Sequence, residues 1–443
     1  MRKIFDRKKI PVHVKKKFTT YVATTMFSTM LSSIYVSVDG IFIGQAVGDA
    51  GLTAVNIIWP IEALATAVAR GFGLGGAICF AIALGEKSEE KAGKYRGNTV
   101  LLLLLDYLIM AVLVGHFYPE ILHLFGATDT QVYRLAADYT KIYVIGCIFQ
   151  ILNCGVQPFL RNADKPITVM IFQIMGAVIN VILDYFFVII FGWEVWGAGL
   201  ATIVAEAVAS VLTLLAFFRE KRYPHHIKEY IPDFSFIKQI LCSSISPMGA
   251  TMCNSIVIIF NNRFCLYYGG VIAAAAYSVV NYSYCAGYMF VMGVGEGIQP
   301  LISYNYGKKD YKEMEEYIWL GKRTIGIIGV LVTGIFILAR KPIAILFGAS
   351  DEAIQIVMRA ICMSAAVFLF KGFVRLKSAY FNATDKNKYS NILVYAESLV
   401  LTPALLAIFS HFMGLNGVWI TMPAVQIILV CMEIVFEKKI KKY

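Results

Sequence analysis

The hexapeptide LFGATD at 124–129 returns as LFGASD at 346–351, an offset of 222 residues. The same offset carries Gly71, Gly73 and Gly75 onto Gly293, Gly295 and Gly297. RNADKP, from Arg161, has its counterpart in FNATDKN, from Phe381, and Gly197 pairs with Gly417 at an offset of 220. Apolar helices that resemble one another by composition alone do not hold one register over half a chain, so the spacing marks an internal duplication. It divides the chain into a first half at 1–222, a polar joint at 223–236 (YPHHIKEYIPDFSF) and a second half at 237–443.

Each half is built for lipid. Of 443 residues 58% are hydrophobic and 16% charged, with a mean hydropathy of +0.67. Soluble domains average roughly 25% charged residues, and a bilayer span needs about 20 apolar ones. Twelve such stretches are expected, at 18–43, 52–84, 98–116, 137–160, 167–191, 198–218, 237–261, 271–304, 318–339, 353–371, 390–410 and 417–436. Six per half is an even number, so both halves insert in the same orientation, related by a pseudo-two-fold axis along the membrane normal. The expected fold class is an all-α membrane protein of about twelve transmembrane helices in two six-helix bundles.

The formal charge is +11. With the N-terminus inside, 32 of the 40 Lys and Arg residues fall in cytoplasmic segments and 4 in outer loops. That bias predicts a multi-pass protein of the cell membrane with both termini and the joint in the cytoplasm. It also accounts for the basic character without nucleic acid as a partner. The basic start MRKIFDRKKIPVHVKKK leads into an apolar run too long for a cleavable signal. The nine cysteines include no CxxC pair and sit mostly within apolar runs, where cysteine acts as a small hydrophobe.

Ionisable groups inside lipid-spanning helices cost about 2.5–3.5 kcal/mol each at the bilayer centre, so they are the strongest functional signals. Here they are mostly acids: Asp39, Glu62, Asp106, Asp184, Glu206, Glu296 and Glu397, with Arg70 as a partner for an acid or a snorkelling cation. Asn180 and Asp184 are four apart, hence on one helix face. At 1.5 Å per residue, Asp39 lies ~33 Å and Asp184 ~28 Å along spans that run in the same direction. Two readings of that depth stay open: a shared site for one proton or cation, or carboxylates that meet water at the headgroup boundary. Glu62 and Glu206 are mid-span, with a cavity role or a structural hydrogen bond both open. Glu296, in GVGEGIQP, is expected where glycines and a proline break the helix and expose backbone to an ion.

Other patterns carry no chemistry. Gly71–Gly76 satisfies GxGxxG literally, but no strand precedes it and close packing of small residues explains it. His225-His226 lacks a third ligand at metal spacing, so no metal site is expected there. No Walker A lysine motif and no catalytic constellation is present, so neither an ATP-driven pump nor an enzyme is expected, and no cofactor beyond a coupling ion. Tyr277, Tyr282, Tyr284 and Tyr288 are either packing residues or cation–π contacts for cationic amphipaths.

The paired halves, with VDGIFIG in the first span, NVILDYFF in the fifth, GAGLAT entering the sixth, Pro247 in the seventh and GIQPLISYNYG in the eighth, resemble the multidrug and toxic compound extrusion (MATE) family over essentially the whole chain. The resemblance implies two bundles around a central cavity, alternating access, and export of organic cations in exchange for inward H⁺ or Na⁺ by a monomer. It places the coupling site, with Na⁺ or H⁺ as occupant, at Asp39, Asn180 and Asp184; Glu206, Glu296 and Glu62 remain further candidates from their positions within the spans. This chain departs from some members: its seventh span has Asn254 and no acid, its tenth (AICMSAAVFLFK) has none, and Phe27 stands at the repeat position of Pro247. Those departures shift the expected coupling to the first half. The alternative is a lipid-linked saccharide or lipid flippase of the same superfamily, which would use cationic grooves for phosphate; Arg70 and few other intramembrane cations argue for the exporter.

Overall fold

Glycine at φ +73° ends the first long helix at Gly48, and 222 residues later glycine at φ +69° breaks the chain again at Gly270. Such a φ suits a residue without Cβ. The pattern continues: Lys87 and Lys309 (φ 60° and 61°), Asp164 and Asp385 (59° and 56°), and Gly192 and Gly414 (67° and 57°) take the left-handed region at offsets of 222, 221 and 222. The duplication read from the sequence is thus written in the turns, where a fixed φ decides the direction of the next helix.

These turns separate eight pairs of neighbours among twelve long helices, beside a short one at Arg340–Leu346, in a computed structural model that describes residues 10–127, 129–347 and 350–441, the side chains of 32–37, 49, 286 and 441 excepted. Part of the basic tail (Arg2, Lys3, Arg7, Lys8, Lys9), Thr128 and Gly348-Ala349 of the repeated hexapeptide, and Lys442 lie outside the described residues. In chain order the helices are α1 (Val12–Val47), α2 (Asp49–Gly85), α3 (Glu89–Leu124), α4 (Thr130–Asn162), α5 (Pro166–Asp184) continued by a π-helical turn at Tyr185–Ile190, and α6 (Glu194–Phe218). The helical stretch Phe234–Gly307 is two helices, α7 (234–269) and α8 (271–307), divided at Gly270. There follow α9 (Tyr311–Leu338); α10, whose arms Asp351–Ser364 and Val367–Ala383 meet at 50°; α11 (Asn387–Ala396, a π turn Glu397–Leu401, then Thr402–Met413); and α12 (Leu415–Lys441). No strand occurs among the described residues.

Side-chain oxygens start several helices. Asp129 accepts the Gln131 and Val132 amides at the head of α4, Asp310 that of Glu313 at α9, and Ser350 that of Ala353 at α10. Each satisfies a donor the helix cannot use. Pro166 begins α5, where its missing N–H costs nothing. The exteriors are apolar: Leu104, Leu105, Leu108, Ile109, Val112 and Leu113 of α3 are exposed, while Asn98, Thr99 and Asp106 of the same helix are buried. Polar inside and apolar outside is the arrangement lipid requires.

Two compact units emerge. One contains 30–248 and 307–309; the other contains 1–29, 249–306 and 310–443. The N-terminal ends of α1 and α7 are thus exchanged: 12–29 goes with the later helices and 234–248 with the earlier ones.

Two sequence expectations are corrected. The eighth span does not break near Glu296; α8 departs from helical geometry at Gly270 alone. Its glycines serve packing, since a Cβ on Gly293 would lie 2.4 Å from Met26 Cα and one on Gly297 2.8 Å from Val22 Cα, both on α1. The tenth span does not stop at Lys371: α10 bends and runs to Ala383, so Arg375 (7% exposed) and Lys377 (2%), counted above as loop residues, are buried. The joint is docked against α3. Arg96 of α3 donates to the Tyr223 and Pro224 carbonyls (2.7 and 3.0 Å) and pairs with Glu229 at 2.5 Å; Asn98 Oδ1 accepts the Asp233 amide at 2.9 Å. Gly93 and Gly97 of α3 make room for the segment, since a Cβ on Gly97 would fall on the Glu229 carbonyl.

Candidate functional site

The α5 face that carries Asn180 and Asp184 turns inward. Asn180 is 2% exposed and Asp184 fully buried, with both carboxylate oxygens lacking a hydrogen-bond partner. Directly after Asp184 the backbone enters the π turn, whose wider ladder is a frequent mark of functional sites in helices. Asn180 lies beside Asp184 without a well-formed hydrogen bond to it, and its amide donates to Thr202 Oγ1 of α6 at 3.4 Å. Asp39 of α1 has one buried, unpartnered oxygen. The charge of Asp39 acts on Asp184 and on Glu62, and that of Glu206 acts on Glu62.

A chain of neutral donors surrounds these acids. Tyr139 of α4 donates to Glu62 Oε1 at 2.8 Å. Asn153 donates to Glu206 Oε2 at 2.9 Å while accepting from Gln157 (2.9 Å) and Thr213 (3.0 Å), and Gln173 of α5 donates to Gln157 at 2.9 Å. Asp39, Glu62, Asp184 and Glu206 have no ion-pair partner among the described residues. Between α4, α5 and α6 is a cleft of about 50 Å³, lined by Asn153, Gln173, Asn180, Thr202 and Glu206, with Gly176, Ala177, Ala205 and Ala209 leaving the space. A water needs roughly 10–15 Å³ and two to four polar partners, so the cleft has room for several waters.

The structure therefore brings Asp39, Glu62, Asn180, Asp184 and Glu206 into one unit. Glu296, on α8, belongs to the other. Asp106 is buried with an unpartnered oxygen, and Glu397 stands in an ion-pair cluster of the second unit. Ranking ionisable groups alone passed over Thr202, Asn153, Gln157, Gln173 and Tyr139. The signal was present: Thr202 and Glu206, like Asn153 and Gln157, are polar residues four apart in otherwise apolar helices. No cluster of three or more His, Cys, Asp or Glu suited to a metal occurs among the described residues. Beside Asp184 stand the Asn180 carboxamide and the Thr202 hydroxyl, oxygen donors of the kind that suit a proton or a hard cation.

Apolar-faced helices around a polar cleft lined by an acid are the architecture of a polytopic membrane transporter. The profile of the MatE family matches residues 25–186 and 247–408, two copies in the same 222-residue register, and the chain belongs to that family. It is similar to the multidrug export protein MepA of Staphylococcus haemolyticus (26% identity over 396 residues, 89% of this chain and 86% of the relative) and to the probable multidrug resistance protein YoeA of Bacillus subtilis (25% over 438 residues, 95% and 93%). Its fold matches the outward-facing conformation of a multidrug resistance MATE family transporter of the MOP superfamily, with a TM-score of 0.91 at 20% identity over 98% of both chains.

Proposed function

We propose that this protein is a secondary active exporter of cationic amphipathic compounds, driven by inward H⁺ or Na⁺ through alternating access. In this reading it acts as a monomer in the cell membrane with both termini and the joint in the cytoplasm. The observation that carries the reading is Asp184: two buried carboxylate oxygens without hydrogen-bond partners, within reach of the Asp39 charge and beside Asn180. Asp39, Asn180, Asp184 and Thr202 form the coupling site; a proton or Na⁺ supplies the positive charge this oxygen set lacks. Glu62 and Glu206 extend the negative field toward the cleft. Ion and cationic drug then compete for one field, and the competition is reciprocal: whatever factor the ion takes from drug affinity, the drug takes from ion affinity. If the ion is H⁺, affinity for a cation such as ethidium falls as pH drops through the apparent pKa of the Asp39–Asp184 pair. If it is Na⁺, affinity falls with added Na⁺ at fixed ionic strength. Ethidium binding to the purified protein tests both, and an affinity indifferent to pH and Na⁺ rules the shared site out. Replacing both acids by Asn flattens the dependence.

A lipid or lipid-linked saccharide flippase is the second reading, favoured by the buried Arg375 and the partly buried Lys371, which the sequence alone assigned to a loop and a span end.

A further inference from the structure

The second arm of α10 carries Lys371 and Arg375 one turn apart, toward Glu397 of α11. Lys371 Nζ is 3.4 Å from Glu397 Oε1, Arg375 Nη2 is 3.3 Å from Oε2, and Gln426 of α12 donates to Oε1 at 2.8 Å. Glu397 opens the π turn of α11, and its backbone carbonyl accepts from Thr402. Tyr288 of α8 forms another wall: the Lys371 ammonium lies 4.5 Å and the Arg375 guanidinium 5.7 Å from its ring centre. All five side chains belong to one compact unit.

The charges do not balance, since two cations share one carboxylate. Charge-assisted N–H···O⁻ bonds ordinarily close to about 2.7–2.9 Å, and both contacts to Glu397 are longer. Arg375 Nε is buried without a partner, and the Tyr288 hydroxyl beside it has no hydrogen bond of good geometry. An uncompensated positive charge within a span is costly enough to be a functional mark by default. Lys371, with a side chain 16% exposed, is the open edge of the cluster, and Glu397 closes the other side.

We propose that Lys371, Arg375 and Tyr288 form a binding site for a monovalent oxyanion, the carboxylate or phosphate end of an anionic or zwitterionic amphipath. Lys371 Nζ, Arg375 Nε and the Tyr288 hydroxyl supply the donors, and the bound oxyanion brings the cluster to neutrality while Glu397 keeps the cations apart. The site widens the substrate class beyond the purely cationic compounds of the preceding section. Because it is read by binding alone, it stands or falls independently of the coupling reaction.

The test compares a rhodamine bearing a free carboxylate with its ethyl ester, by fluorescence anisotropy on the purified full-length protein in detergent. Wild type is expected to bind the acid at least tenfold more tightly than the ester. Lys371→Gln keeps the Arg375–Glu397 pair and should lower the acid-to-ester affinity ratio about tenfold, whereas Lys371→Arg keeps the preference. Tyr288→Phe, which changes no charge and provides a readout should Lys371→Gln not fold, should lower the ratio about threefold. Competition by inorganic phosphate assigns the site to free oxyanions; competition by phosphatidylglycerol bicelles without competition by phosphate assigns it to a lipid headgroup. No acid preference in wild type, a preference that survives both Lys371→Gln and Tyr288→Phe, or competition by neither probe overturns the proposal.

Discussion

In the unit built mainly on 30–248, the Glu62 and Glu206 carboxylates accept from a tyrosine hydroxyl and an asparagine carboxamide. In the other unit, Glu397 stands between a lysine and an arginine. Both arrangements descend from one duplicated ancestor, as the 222-residue register of turns and family matches shows. The difference is instructive because the two surroundings respond oppositely to loss of a charge. A carboxylate hydrogen-bonded only by neutral groups can be protonated without stranding a partner. One that holds the buried Arg375 and the partly buried Lys371 cannot, because breaking a buried ion pair leaves a charge the interior does not tolerate.

The largest expected effect breaks the comparison if it fails. Glu397→Leu strands Lys371 and Arg375 and should destabilise the protein by about 3–5 kcal/mol, seen as loss of the folded peak in size-exclusion chromatography or a large fall in melting temperature. Asp184→Asn, at an equally buried site, should fold and insert normally yet abolish coupled ethidium efflux from vesicles. Equal stability of the two variants would remove the distinction drawn between the units.

A smaller effect tests packing without charge. A Cβ at Gly73 of α2 would lie 2.4 Å from the Gly155 carbonyl oxygen and 2.5 Å from its Cα on α4. Gly73→Ala should therefore cost about 1–3 kcal/mol, the usual range for overpacking, measured by thermal denaturation. A neutral result would mean that α2 and α4 can separate freely at this point.

Glu206→Gln sharpens the comparison from the other side. Glutamine keeps the oxygen that accepts from Asn153, so the stability change should stay within about 1 kcal/mol, the net worth of one neutral hydrogen bond. A loss as large as that of Glu397→Leu would show that Glu206 holds a structural charge.

The smallest effect lies in the docked joint. His225 is half-buried, its Nε2 directed to the Phe217 carbonyl (2.9 Å) and its Nδ1 to the Tyr230 hydroxyl (2.6 Å). Burial, and then the nearby Arg96 charge, hold its pKa below the ordinary histidine value; Glu229 pulls upward and His226 down. With the folded pKa depressed, the unfolded chain binds more protons below about pH 6.5. The stability from neutral His225 is complete above that pH and is lost as pH falls beneath it. Melting temperature should decline between about pH 6.5 and 5 in wild type, and less steeply in His225→Gln. Parallel slopes in the two proteins would place the dependence elsewhere.

Much of this molecule was legible in one dimension. Lipid demands apolar helices of known length, so the spans appear as runs in the sequence, and duplication leaves a register that needs no structure to measure. Asn180 and Asp184 were legible for the same reason: a four-residue spacing within a span is a geometric statement about one helix face. Three things became visible only in the fold. Arg375 and Lys377 read as loop cations because a 50° bend between the arms of α10 carries the helix beyond its apolar run. Glu296 read as a helix break because glycines beside proline suggest one, whereas Gly293 and Gly297 are there to admit the backbone of α1. The exchange of 12–29 and 234–248 between units has no mark in composition or periodicity, since both segments are ordinary helix starts. What the sequence alone determined follows from local rules of spacing, length and charge. What the tertiary structure decided is which distant side chains meet, and that depends on the direction each turn and bend gives the helix after it.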